Sequence, residues 1–83
     1  METDVIKLDI ISPEGHIVTE MVSKVELPGS AGRFVVLRNH APLLSSLVKG
    51  EIVYETGDGV KTVALSSGFA EVNDNEVNVC VEL

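Results

Sequence analysis

Few side chains in this sequence could do chemistry: His16, His40, Cys80, a scatter of serines and the acids. The two histidines could hold a metal with a cysteine or carboxylates, but none of the zinc spacings is present, neither C-x-x-C nor H-E-x-x-H. Each histidine therefore reads as a surface or loop residue. Cys80 could act as a nucleophile only beside an activating base. It stands in an alternating apolar run, so the plainer reading is a half-buried strand residue. A Ser–His–Asp site needs its serine on a sharp turn, and no G-x-S-x-G occurs. Gly29-Ser30-Ala31-Gly32 has a glycine-rich look but lacks the phosphate-loop lysine, and a β-type run follows where a helix should start. Asn73-Asp74-Asn75-Glu76 is acidic yet lacks the ligand spacing and central glycine of a calcium loop. The expectation is no catalytic residue, no metal site and no cofactor.

The densest cluster is Leu37-Arg38-Asn39-His40-Ala41-Pro42-Leu43-Leu44-Ser45-Ser46, ahead of Leu47-Val48-Lys49-Gly50-Glu51-Ile52. It gathers a histidine, hydroxyls and two adjacent leucines. Pro42 argues against a strand, and Ser45-Ser46 against a strong helix. A turn or so within Ala41 to Val48 is the best helical candidate in the chain.

The elements around it must position that segment, and they read as strands. Val5 to Ile11 puts Ile6, Leu8 and Ile10 on one face and Lys7 and Asp9 on the other. Ser12-Pro13-Glu14-Gly15 is a turn. The run from His16 to Leu27 alternates but is long for one strand, so a bend or bulge is expected near Met21–Lys24. Pro28 ends it, and a tight loop to Gly32 follows. Phe34 to Leu37 is a short strand rich in β-formers. Glu51 to Thr56 and Val60 to Leu65 flank a hairpin at Thr56-Gly57-Asp58-Gly59. Ser66-Ser67-Gly68 breaks the pattern, and Phe69 to Val72 resumes it. Asn73-Asp74-Asn75 turns the chain into the cleanest alternation, with Val77, Val79, Val81 and Leu83 on one face. Strands of about 5–6 residues with short turns fit roughly eight to ten times into the chain, which means an all-β, flattened β-sandwich or barrel, with residues 1–83 as one domain.

Composition narrows the function classes. Hydrophobic residues make up 45% of the 83, which suits a folded core. Six basic residues stand among thirteen acidic ones, for a net charge of −7. Nucleic-acid binding needs a basic stripe to displace counterions, so it is not expected, nor is attraction to anionic lipid. A single cysteine allows no internal disulfide and fits a reducing, intracellular setting. No apolar run approaches the roughly 20 residues that cross a bilayer, so direct membrane insertion is not expected. The opening METDVIKLDI has no targeting pattern. Met1 and a clean end at Leu83 favour a naturally short form. What remains for such a chain is contact with a partner.

The order LPGSAGRFVVLRNHAPLLSSLVKGEIVY, followed by LSSGFAEV, resembles the epsilon subunit of rotary F-type ATP synthases. His40-Ala41-Pro42-Leu43-Leu44 carries that resemblance, with Lys49-Gly50, Leu65-Ser66, Gly68-Phe69 and Glu71-Val72. It covers essentially the whole chain. It implies a β-sandwich of about ten strands in the central stalk, a non-catalytic rotor subunit that couples ion-driven rotation to ATP synthesis. It implies peripheral attachment at the cytoplasmic face of the bacterial inner membrane. It also implies two partners. Ser12, His40, Ala41, Pro42, Leu43, Leu44 and Ser45 would contact the gamma subunit. Ser30, Ala31, Gly32 and Arg33 would contact the c-ring. Three departures stand out. Asn39 occupies a place where glycine is common, and must reach positive φ if it is to replace it. Ser67 stands where glycine is frequent. Arg33 would meet like charge on the ring's polar loops unless it points elsewhere. The helical hairpin that commonly follows the sandwich, and that can inhibit ATP hydrolysis, has no counterpart up to Leu83. The alternative is a small carrier or binding module, which would need a modifiable lysine at a hairpin tip. Thr56-Gly57-Asp58-Gly59 has none, and Lys61 lies beyond it.

Overall fold

The structure, a computed structural model, describes residues 4–83; Met1 lies outside them. It contains nine strands: β1 Ile6–Ser12, β2 Gly15–Val22, β3 Lys24–Gly29, β4 Gly32–Val36, β5 Leu43–Leu47, β6 Gly50–Thr56, β7 Gly59–Leu65, β8 Ser67–Asn73 and β9 Glu76–Glu82. Hydrogen bonding links them into one curled sheet in the order β2-β1-β9-β8-β5-β3-β6-β7, with β4 on the other edge of β3. Neighbours are antiparallel except β1 and β9, which are parallel. The expected flattened all-β sandwich is present, with extents of 36 × 24 × 18 Å. Among the described residues it has nine strands, within the roughly eight to ten that the chain length allows.

The sheet has two halves, β2-β1-β9-β8-β5 and β4-β3-β6-β7. They join where Gly29 pairs with Leu47, the single register pair between β3 and β5. The chain crosses between halves four times: through the longer β4–β5 connection and at three short corners, Ser23, Val48-Lys49 and Ser66. Strands that switch layers through a bend are the usual corners of such sandwiches. Each corner is pinned by backbone hydrogen bonds. Ser23 N donates to Glu55 O at 2.9 Å, Val48 N to Pro28 O at 2.8 Å, and Ser66 N to Glu82 O at 2.7 Å.

Each corner also changes which residues face inward. Val22 and Val25 are both buried, as are Leu47 and Ile52, and Leu65 and Ala70. An odd spacing within each pair means that the alternation slips by one residue at the corner. The expected bend near Met21–Lys24 falls at Ser23. The run from His16 to Leu27 does not keep one face throughout, because Val22 is buried whereas Met21 is exposed. The inward residues of both halves form one cluster around Ile6, Leu8, Ile10, Leu27, Ile52, Val77 and Val79. Burying a large aliphatic side chain contributes about 1.5–3 kcal/mol, and this shared cluster is the main stabilising term.

Two expectations need correction. Pro28 does not end its strand; β3 runs on to Gly29. The Pro28 carbonyl points toward Val48 at the corner, so its missing N–H falls there and not in the β3–β4 ladder. The segment after Pro42 contains no helical turn: Leu43–Leu47 is a strand, paired along its length with β8. Pairing with β8 overrides the weak strand preference of Ser45 and Ser46.

Candidate functional site

The residues from Leu37 to Pro42 form the loop between β4 and β5. Asn39 adopts φ 64°, so it supplies the left-handed turn residue that the sequence required. Ser67 has no positive φ and sits in β8, which settles the second departure as an ordinary strand residue. In the loop, His40 Nδ1 donates to Ala41 O at 2.6 Å. Beyond it, β5 alternates. Leu44 and Ser46 face solvent, whereas Leu43 packs against the core cluster and Ser45 is half-buried on the same inward side. Leu44 is 64% exposed. Leu44 is thus the outward leucine and Leu43 the inward one.

The registers across β5, β8, β9 and β1 align two rows on the outer face of the five-stranded half. One row is Leu44, Glu71, Asn78 and Asp9. The next is Ser46, Phe69, Cys80 and Ile11. Phe69 is 49% exposed, Ile11 is 38%, and Cys80 is exposed instead of half-buried as the alternation predicts. Phe69, Cys80 and Ile11 line a shallow groove of about 410 Å³ with Ser12 and Pro13. Gly68 also lines it, and there an added Cβ would lie 2.6 Å from the Cys80 carbonyl oxygen. This apolar row is the part of the surface that sequence reasoning missed. The signal was available: Phe69 is out of step with Ala70 and Val72, and Ile11 with Ile6, Leu8 and Ile10.

The candidate residues are brought together only in part. Ser30, Ala31, Gly32 and Arg33, at the β3–β4 hairpin, share a groove of about 540 Å³ with Leu43, Leu44, Ser45 and Ser46. Ser30 Oγ and Ser46 Oγ lie 2.7 Å apart, and Ser30 N donates to Ser46 O at 3.0 Å. The two sets of expected contact residues are therefore neighbours. Ser12 stands apart from the loop. His40 lies by Asn75, whose carbonyl accepts from Lys7 N at the start of β1, whereas Ser12 ends that strand. Arg33 Nε donates to Glu26 Oε1 at 3.1 Å, so its charge turns back along β3. Lys24 joins the same network, with Nζ 3.8 Å from Glu26 and 3.7 Å from Glu55. Exposed pairs of this kind contribute little to stability.

His16 Nε2 lies 3.1 Å from Asp9 Oδ1 and opposite Ile11, about four residues along β1 from the His40 end, or roughly 13 Å of strand. One ion cannot bridge the two. No group of three or more potential metal ligands occurs among the described residues. Lys61 is not at a hairpin tip. Its Nζ donates to Glu20 at 3.2 Å, and Tyr54 Oη donates to the other Glu20 oxygen at 3.3 Å. Burial first, then the Glu20 charge, holds the Tyr54 phenol above its usual range. This cluster ties β2 to β6 and β7, where the curled sheet nearly closes. No helix among the described residues is long and apolar enough to cross a membrane.

A curled β-sandwich with an apolar row and an adjoining loop on one outer face defines a small all-β domain. Residues 5–83 match the domain family described as ATP synthase, Delta/Epsilon chain, beta-sandwich domain, and the chain belongs to that family. It is 43% identical over 75 residues to the ATP synthase epsilon chain of Desulfitobacterium hafniense, covering 90% of this chain and 57% of the relative. It is 43% identical over 74 residues to that of Syntrophobacter fumaroxidans, covering 89% and 55%. The chain thus spans little more than half the length of these curated relatives. Among solved structures, it is similar to a chain of the Euglena gracilis mitochondrial ATP synthase, solved with OSCP, F1 and the c-ring. The TM-score is 0.86 at 26% identity, covering 94% of this chain and 51% of that one. A chain of the Tetrahymena thermophila mitochondrial ATP synthase central stalk and c-ring shares the fold, with a TM-score of 0.79 at 12% identity, covering 100% and 67%.

Proposed function

We propose that this chain is the sandwich domain of a non-catalytic rotor subunit in an F-type ATP synthase. It binds the gamma subunit and the c-ring and helps couple ion-driven rotation to ATP synthesis. It lies peripherally, at the cytoplasmic face of the bacterial inner membrane, as part of the complex. The observation that carries this reading is the family match over residues 5–83, the whole sandwich. A gamma contact on this face is supported by Leu44 projecting to solvent beside the Phe69, Cys80 and Ile11 row, with the His40–Pro42 loop at one end and Ser12 at the other. Large exposed aromatic and aliphatic groups in one patch are the usual anchors of a protein interface. Ser30 to Arg33, at a hairpin tip beside β5, are the contact offered to the ring. Arg33, paired with Glu26, presents less free positive charge there than the sequence implies.

The experiment is co-purification of the 83-residue chain with the gamma subunit, comparing the native sequence with Phe69→Asp. The native chain should be retained at micromolar concentration, and the variant should be lost while staying folded. Equal retention of both would refute the proposed face.

A further inference from the structure

We infer that Asn39 and Asn75 form a two-bond clasp that sets the position of the His40–Pro42 loop, making Asn75 a positioning residue for partner docking. The inference rests on the docking role proposed above. Asn39 N donates to Asn75 Oδ1 at 2.7 Å, and Asn75 Nδ2 donates back to Asn39 Oδ1 at 3.2 Å. An amide side chain is the short group that carries a donor and an acceptor together, as this reciprocal arrangement requires. Both residues hold positive φ, 64° and 60°, which asparagine tolerates better than other residues with a side chain. Asn75 is itself anchored, since its carbonyl accepts from Lys7 N at 2.9 Å. The clasp therefore ties the loop to the β8–β9 turn and, through it, to β1. The loop's other backbone bond among the described residues, His40 N to Leu37 O at 3.1 Å, is internal to it and cannot orient it against the sheet. A loop held in its bound arrangement loses less conformational freedom on docking, so the clasp favours association without touching the partner.

The test is Asn75→Ala in the 83-residue chain, with Asn75→Asp as the conservative variant. Hydrogen exchange at the Asn39 amide is read by NMR, and affinity for purified gamma by titration. Asn75→Ala should speed Asn39 exchange and weaken gamma binding, each on the order of tenfold. Asn75→Asp keeps the acceptor for Asn39 N–H and should restore most of both. Adding Asn39→Gly to Asn75→Ala should cost little more, because Asn75→Ala has already removed both bonds of the clasp. Unchanged Asn39 exchange in Asn75→Ala would overturn the clasp, whatever gamma does. A loosened loop with unchanged affinity would overturn the positioning role. A native chain that keeps Asn39 protected but fails to bind gamma would instead refute the docking reading, and the positioning role with it.

Discussion

Aspartate placed at Leu43 and at Leu44 in separate variants distinguishes an inward leucine from an outward one. Leu44 is 64% exposed, so only about a third of its surface is removed from water on folding. Full burial of a leucine contributes about 1.5–3 kcal/mol, which leaves at most roughly 1 kcal/mol to lose at this site. Leu43 packs against the core and is paired with Val72, which is 2% exposed. Truncating a fully buried leucine costs about 2–5 kcal/mol, so a half-buried one should cost roughly 1–2.5 kcal/mol. A carboxylate facing that cluster adds a desolvation penalty of a further kcal/mol or more. A domain of this length has a total stability of roughly 4–12 kcal/mol, so Leu43→Asp removes a large share and Leu44→Asp a small one. Each kcal/mol shifts the midpoint of a domain this size by about 4–8 °C. Thermal unfolding followed by circular dichroism should show Leu44→Asp within about 8 °C of the native chain and Leu43→Asp at least about 8 °C below it, with Leu43→Asp clearly the lower of the two. Equal losses, or a larger loss at Leu44, would refute the assignment of the two faces of β5.

Gly68→Ala should lower the midpoint by on the order of 10 °C, because its Cβ would stand 2.6 Å from the Cys80 carbonyl and backbone must shift; an unchanged midpoint would contradict the close β8–β9 packing. Glu20→Gln should flatten the alkaline loss of stability. Tyr54 and Lys61 both titrate above their ordinary values in the folded state, Tyr54 through burial and then Glu20, Lys61 through its hydrogen bond to Glu20. Their contribution is therefore complete below about pH 10 and lost as pH rises through the folded values. Urea midpoints from pH 8 to 11 should fall in the native chain and fall less in Glu20→Gln; parallel curves would contradict the cluster.

The sequence made some of this fold readable and hid the rest for physical reasons. In β9 each valine faces the core and each partner faces water, so the strand and its inward face could be read directly. The Asp74-Asn75 turn and the positive φ at Asn39 followed from asparagine's tolerance of the left-handed region. The corners at Ser23 and Ser66 were readable as a bend and a break, but not as crossings between layers. A slip of one residue at Ser23 or Ser66 looks like a flaw in an alternating pattern unless the second layer is known. β5 was hidden because its strand character comes from pairing with β8, not from Ser45 and Ser46 themselves. In the candidate site, Leu44 was legible as apolar surface but not its direction. The outward direction of Phe69 and Ile11 showed as a break in their alternation, but the groove they form with Cys80 depends on β1 pairing with β9 from the far end of the chain, which local pattern does not encode. The pairing of Arg33 with Glu26 likewise depends on the β3–β4 register.

The central claim is that the outer face of the β2-β1-β9-β8-β5 half is the surface that meets gamma. Backbone amide shifts of the 83-residue chain, mapped by NMR as purified gamma is added, test it most directly. The account predicts that changes gather at Leu44, Phe69, Cys80, Ile11 and the His40–Pro42 loop. Changes gathered instead on Lys24, Val35, Val53 and Val60 of the other half, or no change at saturating gamma, would contradict it.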